Sequence, residues 1–93
     1  MTEITKEILV NWWIKYSKVI YSLDELEKFE GIIDKYGVQK VFTAVIASFL
    51  VEDGSPTTLL MAIRADCIEK FFDCIPEELD EKVSKIVLNQ LLC

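Results

Sequence analysis

Three groups of side chains in this sequence are suited to chemistry or recognition: the cysteines, a run of carboxylates and a tryptophan pair. The thiols are Cys67, Cys74 and Cys93. A thiol nucleophile needs a base beside it, and the chain contains no histidine. That removes the commonest general base, the commonest metal ligand and the usual pH switch together. Three is an odd number, no Cys-x-x-Cys occurs, and no imidazole can complete a zinc site. Spaced seven apart, Cys67 and Cys74 share one apolar helix face with Phe71, so the reading is small buried hydrophobes. Free thiols point to a reducing cytoplasm.

The carboxylates concentrate late in the chain. Asp66, Glu69, Asp73, Glu77, Glu78, Asp80 and Glu81 stand against Lys70 alone within 66–81. Paired carboxylates can move protons or hold a cation. A calcium loop also needs alternating oxygen ligands, a glycine and a closing glutamate, and these do not occur together here. Gly31, Gly37 and Gly54 are too far apart for a phosphate-cradling loop. No catalytic constellation, metal or cofactor is therefore expected. Two readings of the acidic run remain: a solvated face that keeps an apolar chain in solution, and a docking patch that steers a basic partner into place.

Trp12 and Trp13 are adjacent, so on a helix they point about 100° apart. Two readings follow: both indoles flank a wide core stripe, or one enters the core and the other sits at its edge, where tryptophan is a frequent anchor of interfaces.

The elements that must position these groups follow from periodicity and punctuation. Ile4, Ile8, Trp12, Tyr16 and Val19, with Leu9, Trp13 and Ile20 beside them, predict a helix over 3–20 capped by Thr2. Ser22-Leu23-Asp24-Glu25 is a capping box. It opens a helix that buries Leu26, Phe29, Ile32, Ile33 and Tyr36 and ends at Gly37. Gly31 in its interior is a candidate close crossing. Residues 38–51, uncharged from 41 to 51, predict a central helix that is apolar nearly all round and therefore buried. Gly54, Ser55 and Pro56 read as a stop, a cap and a first helical residue. The next helix carries Leu59, Leu60 and Ile63 and breaks near Asp66, where Asp66 and Glu69 read as a second capping box. A short helix over 67–74 follows, and Pro76 opens a last one running to about 91. There the spacing predicts a Glu78–Lys82 and a Glu81–Lys85 pair. The fold class is all-α: one domain over 1–93, a bundle of five to six short helices around the 38–51 helix.

Composition narrows function. The chain has 93 residues, 52% of them hydrophobic, with a net charge of −6 and a mean hydropathy of +0.28. So apolar a small chain needs a dense core or a partner for its surplus. The uncharged runs 41–51, 54–63 and 86–93 fall far short of the roughly 18 residues a membrane span needs. Acids in the first residues do not suit a signal peptide. The 38–51 helix, the turn and the helix from Pro56 match a helix-turn-helix in length. However, Arg64 is the only arginine, and the phosphate contacts that dominate DNA affinity have no evident source. No motif is specific enough to name a family. The reading is a small, cytoplasmic, non-enzymatic protein-binding module. It is an inhibitor or adaptor of the kind phages and mobile elements use, presenting 66–81 to a basic groove on another protein. The alternative is a homodimer joined around Trp12 or Trp13 of the first helix, in which the acids only solubilise, and a DNA-binding regulator ranks below both.

Overall fold

The computed structural model describes residues 3–75 and 80–92. Six helices occur in order: α1 (Lys6–Tyr16), α2 (Leu23–Tyr36), α3 (Val38–Val51), α4 (Thr57–Arg64), α5 (Ile68–Asp73) and α6 (Glu81–Leu92). Among the described residues there is no strand. The fold is all-α, as the periodicity predicts.

The capping box of α2 forms in full. The Glu25 backbone N–H donates to Ser22 Oγ at 3.1 Å, and the Ser22 N–H donates to the Glu25 carboxylate at 2.9 Å. Together they satisfy two donors that a helix start leaves without partners. Phe29, Ile32 and Ile33 face the core. Gly37 has φ +91° and ψ 153°, a conformation open essentially to glycine alone. It is the single residue between α2 and α3, so the chain reverses there at once.

Helix α1 is shorter than the periodicity implies. Thr5 caps it, accepting from the Ile8 N–H at 3.3 Å; the expected cap, Thr2, lies outside the described residues. The helix ends at Tyr16, and residues 17–22 form a link. Within that link the Ile20 carbonyl accepts from Arg64 Nη2 at 2.9 Å. The Ile20 side chain is 92% exposed, not on a core stripe. A tertiary hydrogen bond to the backbone has displaced a continuing helical turn.

Helix α3 takes the central position, touching α1, α2 and α6. Val41, Phe42, Ala44, Val45 and Ile46 are buried. Its burial is not all-round: Leu50 and Val51, in the last turn, stand exposed. Helices α4 and α5 join the bundle through α2 and each other. The α3–α4 turn uses two left-handed residues, Asp53 and Gly54. The Ser48 carbonyl accepts from the N–H groups of Glu52 at 2.7 Å and Gly54 at 3.0 Å. Ser55 Oγ accepts from the Thr57 N–H at 3.3 Å, but the cap residue of α4 is Pro56, which makes no side-chain bond, so the expected serine cap and proline first residue both fall one position early.

The α4–α5 break falls where expected, but its chemistry differs. The Asp66 N–H donates to the Ile63 carbonyl at 3.2 Å, and the Cys67 N–H to that of Ala62 at 3.0 Å. These two bonds make a Schellman closure, with Asp66 at φ +55° in the position glycine usually fills. Asp66 therefore ends α4 and does not cap α5, whose cap residue, Cys67, makes no side-chain bond. Helix α6 starts at Glu81, with the Asp80 carboxylate accepting from the Lys82 N–H at 2.8 Å. The earlier start at Pro76 and the Glu78–Lys82 pair fall outside the described residues. Among the described residues no helix is long and apolar enough to cross a membrane. The radius of gyration is 12.2 Å, close to the roughly 12 Å of a compact chain this long.

Candidate functional site

The two tryptophans are not at the surface. Trp12 is 1% exposed and Trp13 0%, so both belong to a wide core stripe, and the reading of Trp12 and Trp13 as partner-binding residues is corrected. The physical reason is that two neighbouring elements each take an indole. Trp12 Nε1–H donates to the Gly54 carbonyl at 2.7 Å, tying α1 to the α3–α4 turn. Trp13 stacks on Phe29 of α2 at 4.6 Å between centroids and meets Tyr21 edge-on at 5.7 Å. A core fed from α2 and α3 at once covers a wider stripe of α1 than one neighbour would.

The acids do lie at the surface. Asp66, Glu69, Asp73, Asp80 and Glu81 are all exposed, while Glu77 and Glu78 are outside the described residues. Asp66 sits in the α4–α5 turn, Glu69 in the first turn of α5, Asp73 at its end, and Asp80 and Glu81 at the start of α6. Glu69 approaches Lys35 Nζ at 4.0 Å, and Asp80 spends one oxygen on the α6 backbone. Among the described residues no three His, Cys, Asp or Glu side chains gather as a metal site would require. The thiols separate too. Cys67 and Cys74 flank α5 at opposite ends, the first half-buried and the second exposed, so Cys74 is not the buried hydrophobe expected.

Arg64 is engaged inside the molecule. Its Nε donates to Glu25 at 2.6 Å and its Nη2 to the same carboxylate at 3.2 Å. The guanidinium, followed by the Ser22 backbone N–H, holds the Glu25 carboxyl down at about 2. One arginine thus ties α4, the start of α2 and the 17–22 link together. It is the only cation on α4, so the helix that would read DNA in a helix-turn-helix has its charge already paired.

Sequence reasoning missed a groove. Lys28, Gly31 and Lys35 of α2 form one wall, and Ala65, Asp66, Cys67 and Lys70 form part of the other. Ile32, Tyr36, Ile63 and Ile68 supply the apolar lining, and the volume is about 700 Å³. The signal was present in α2: Lys28, Gly31 and Lys35 stand at i, i+3 and i+7, one face of a helix. What could not be read was that the α4–α5 corner stops short of it. A Cβ built on Gly31 meets nothing within 4 Å, so among the described residues no helix crosses there.

No family model matches the chain, and neither a curated protein nor a solved structure matches it.

Proposed function

We propose that this chain is a non-enzymatic protein-binding module whose 66–81 surface docks against a basic groove on another protein, as an inhibitor or adaptor. The observation that carries the reading is that the described acids of this stretch all face solvent, with only Glu69 near a cation. Carboxylates left without counterions project a field that raises encounter rates with a basic partner and orients it. The engagement of Arg64 by Glu25 weighs against the DNA-binding alternative. The free thiols Cys67 and Cys74 suit a reducing compartment, and the reading places the protein in the cytoplasm.

The test is affinity capture with three proteins: wild type, a variant with Asp73→Lys and Glu81→Lys, and a control with Glu3→Lys and Glu7→Lys. A basic protein should be retained by wild type and control, lost by the first variant, and released as salt approaches 0.5 M, where the screening length falls to roughly 4 Å. Equal retention by all three would mean that the acids serve solubility alone.

A second reading rests on its own observation. Ile20 is 92% and Leu23 78% exposed, only three residues apart. Apolar side chains this bare suit self-association. The dimer surface then belongs to the α1–α2 link, not to the buried tryptophans.

A further inference from the structure

Alanine stabilises a helix interior relative to glycine, and a glycine there usually lets another backbone come close. Gly31 stands mid-way along α2, and a Cβ added there would meet nothing within 4 Å among the described residues. It lies in an open groove whose lining includes Ile32, Tyr36, Ile63 and Ile68. We propose that this groove receives an amphipathic, acidic helix of a partner protein, which crosses α2 at Gly31.

Shape selects the class of occupant. Small-molecule sites enclose most of their ligand. This one is an open trough between α2 and the α4–α5 corner, the form that takes the apolar stripe of a helix. Removing one side chain at the crossing point lets two helix axes approach, so a small residue on the partner opposite Gly31 completes the fit.

Charge selects the sign. Lys28 and Lys35 flank Gly31 along α2, and Lys70 stands on α5, against Asp66 and Glu69. In a chain of net charge −6 the groove is a local reversal. Lys28 meets Asp24 at 3.5 Å and Lys35 meets Glu69 at 4.0 Å, both on exposed side chains. Such pairs hold weakly and exchange readily for a better-placed carboxylate. Lys70 makes no ion pair among the described residues. The groove thus calls for acids on the rims of the incoming helix, a sign opposite to the basic partner of the 66–81 surface. The two surfaces adjoin at Asp66, Glu69 and Lys70, whereas Asp73, Asp80 and Glu81 lie outside the groove lining.

The probe is a fluorescein-labelled Ala/Leu/Glu peptide about four helical turns long, with alanine at its centre, compared with the same peptide carrying Lys for Glu. Anisotropy should show the acidic peptide binding about tenfold or more tightly than the basic one, and weakening with salt. Amide shifts in ¹⁵N–¹H spectra should cluster at Gly31 and Ile68. Gly31→Met should lose the binding without lowering Tm, because the new side chain enters open space. Lys28→Glu with Lys70→Glu should lose it independently, and Asp73→Lys with Glu81→Lys should leave it unchanged, so this proposal and the acidic-surface reading fail separately. Equal binding of the two peptides, shifts elsewhere, or full binding by Gly31→Met would overturn the proposal. So would a dimer that dissociates on Gly31→Met, which would make a second copy the occupant, or laurate displacing the peptide from the same residues, which would make it an anionic amphiphile.

Discussion

Trp12 and Trp13 are equally buried but unequally satisfied. Trp12 Nε1–H has the Gly54 carbonyl, whereas Trp13 Nε1 has no hydrogen-bond partner among the described residues. Trp12→Phe leaves a buried carbonyl without its donor, which costs about 1–3 kcal/mol beyond the cavity both truncations create. Trp13→Phe removes a donor that had no partner. Urea denaturation should therefore rank Trp12→Phe as the more damaging of the two. The acceptor residue is equally constrained: a Cβ on Gly54 would lie 2.6 Å from the Phe49 ring, at φ +84°. Gly54→Ala combines left-handed strain with overpacking and should lose about 2–4 kcal/mol in the same assay. Glu25 sets an acid limit. Its carboxyl is lowered from 4.5 to about 2 by Arg64 and the Ser22 N–H. A carboxyl depressed on folding contributes its stability in full above its unfolded value and loses it as pH falls through the folded one. Between pH 4.5 and 2 the Tm of wild type should fall more steeply than that of Glu25→Gln; parallel curves would show that the Arg64 contact contributes nothing.

At the scale of elements, α2 carries the strongest local signal and the weakest local residue side by side. Ser22→Ala breaks the capping box seen here and should cost about 1 kcal/mol. Gly31→Ala should return up to about 1 kcal/mol, since its methyl meets nothing. Chemical denaturation of the two single variants and the double should show near-additive shifts, because the sites are more than two helical turns apart. The helix start at Ser22 was legible because a cap is a short-range bond between residues two or three apart. The end of α1 was not, because Arg64, more than forty residues away, holds the Ile20 carbonyl. Asp66 and Glu69 have the right types and spacing for a capping box. The same Asp66 also fits the left-handed residue of a Schellman closure, and the end of α4 takes it.

For the whole molecule the open question is where the apolar surplus goes. The described core absorbs both tryptophans, Phe29, Phe42 and Phe72, so density accounts for much of it. Ile20, Leu23, Leu50 and Val51 remain in solvent. Sedimentation at tens of micromolar should show mass above the monomer, reverting to monomer in Ile20→Lys with Leu23→Lys. Both positions are exposed, so the double variant should keep its Tm within the small change expected of surface sites, about 0.5 kcal/mol apiece. A wild-type monomer would remove the dimer reading and leave these side chains to another partner.

The sequence by itself determined the class of structure and most of its punctuation. Period, caps and turn residues act over one or two helical turns, so Phe29, Ile32 and Ile33 could be assigned to the core from spacing, and the 38–51 helix to the centre from its lack of charge. It also placed the acids of 66–81 on the outside, since carboxylates without partners stay in water. Only the tertiary structure decided that both indoles go in, because the width of a buried stripe depends on how many neighbours a helix has. It alone paired Arg64 with Glu25 and left the Gly31 face of α2 uncovered. Each of these depends on where distant helices come to rest, and no local pattern carries that distance.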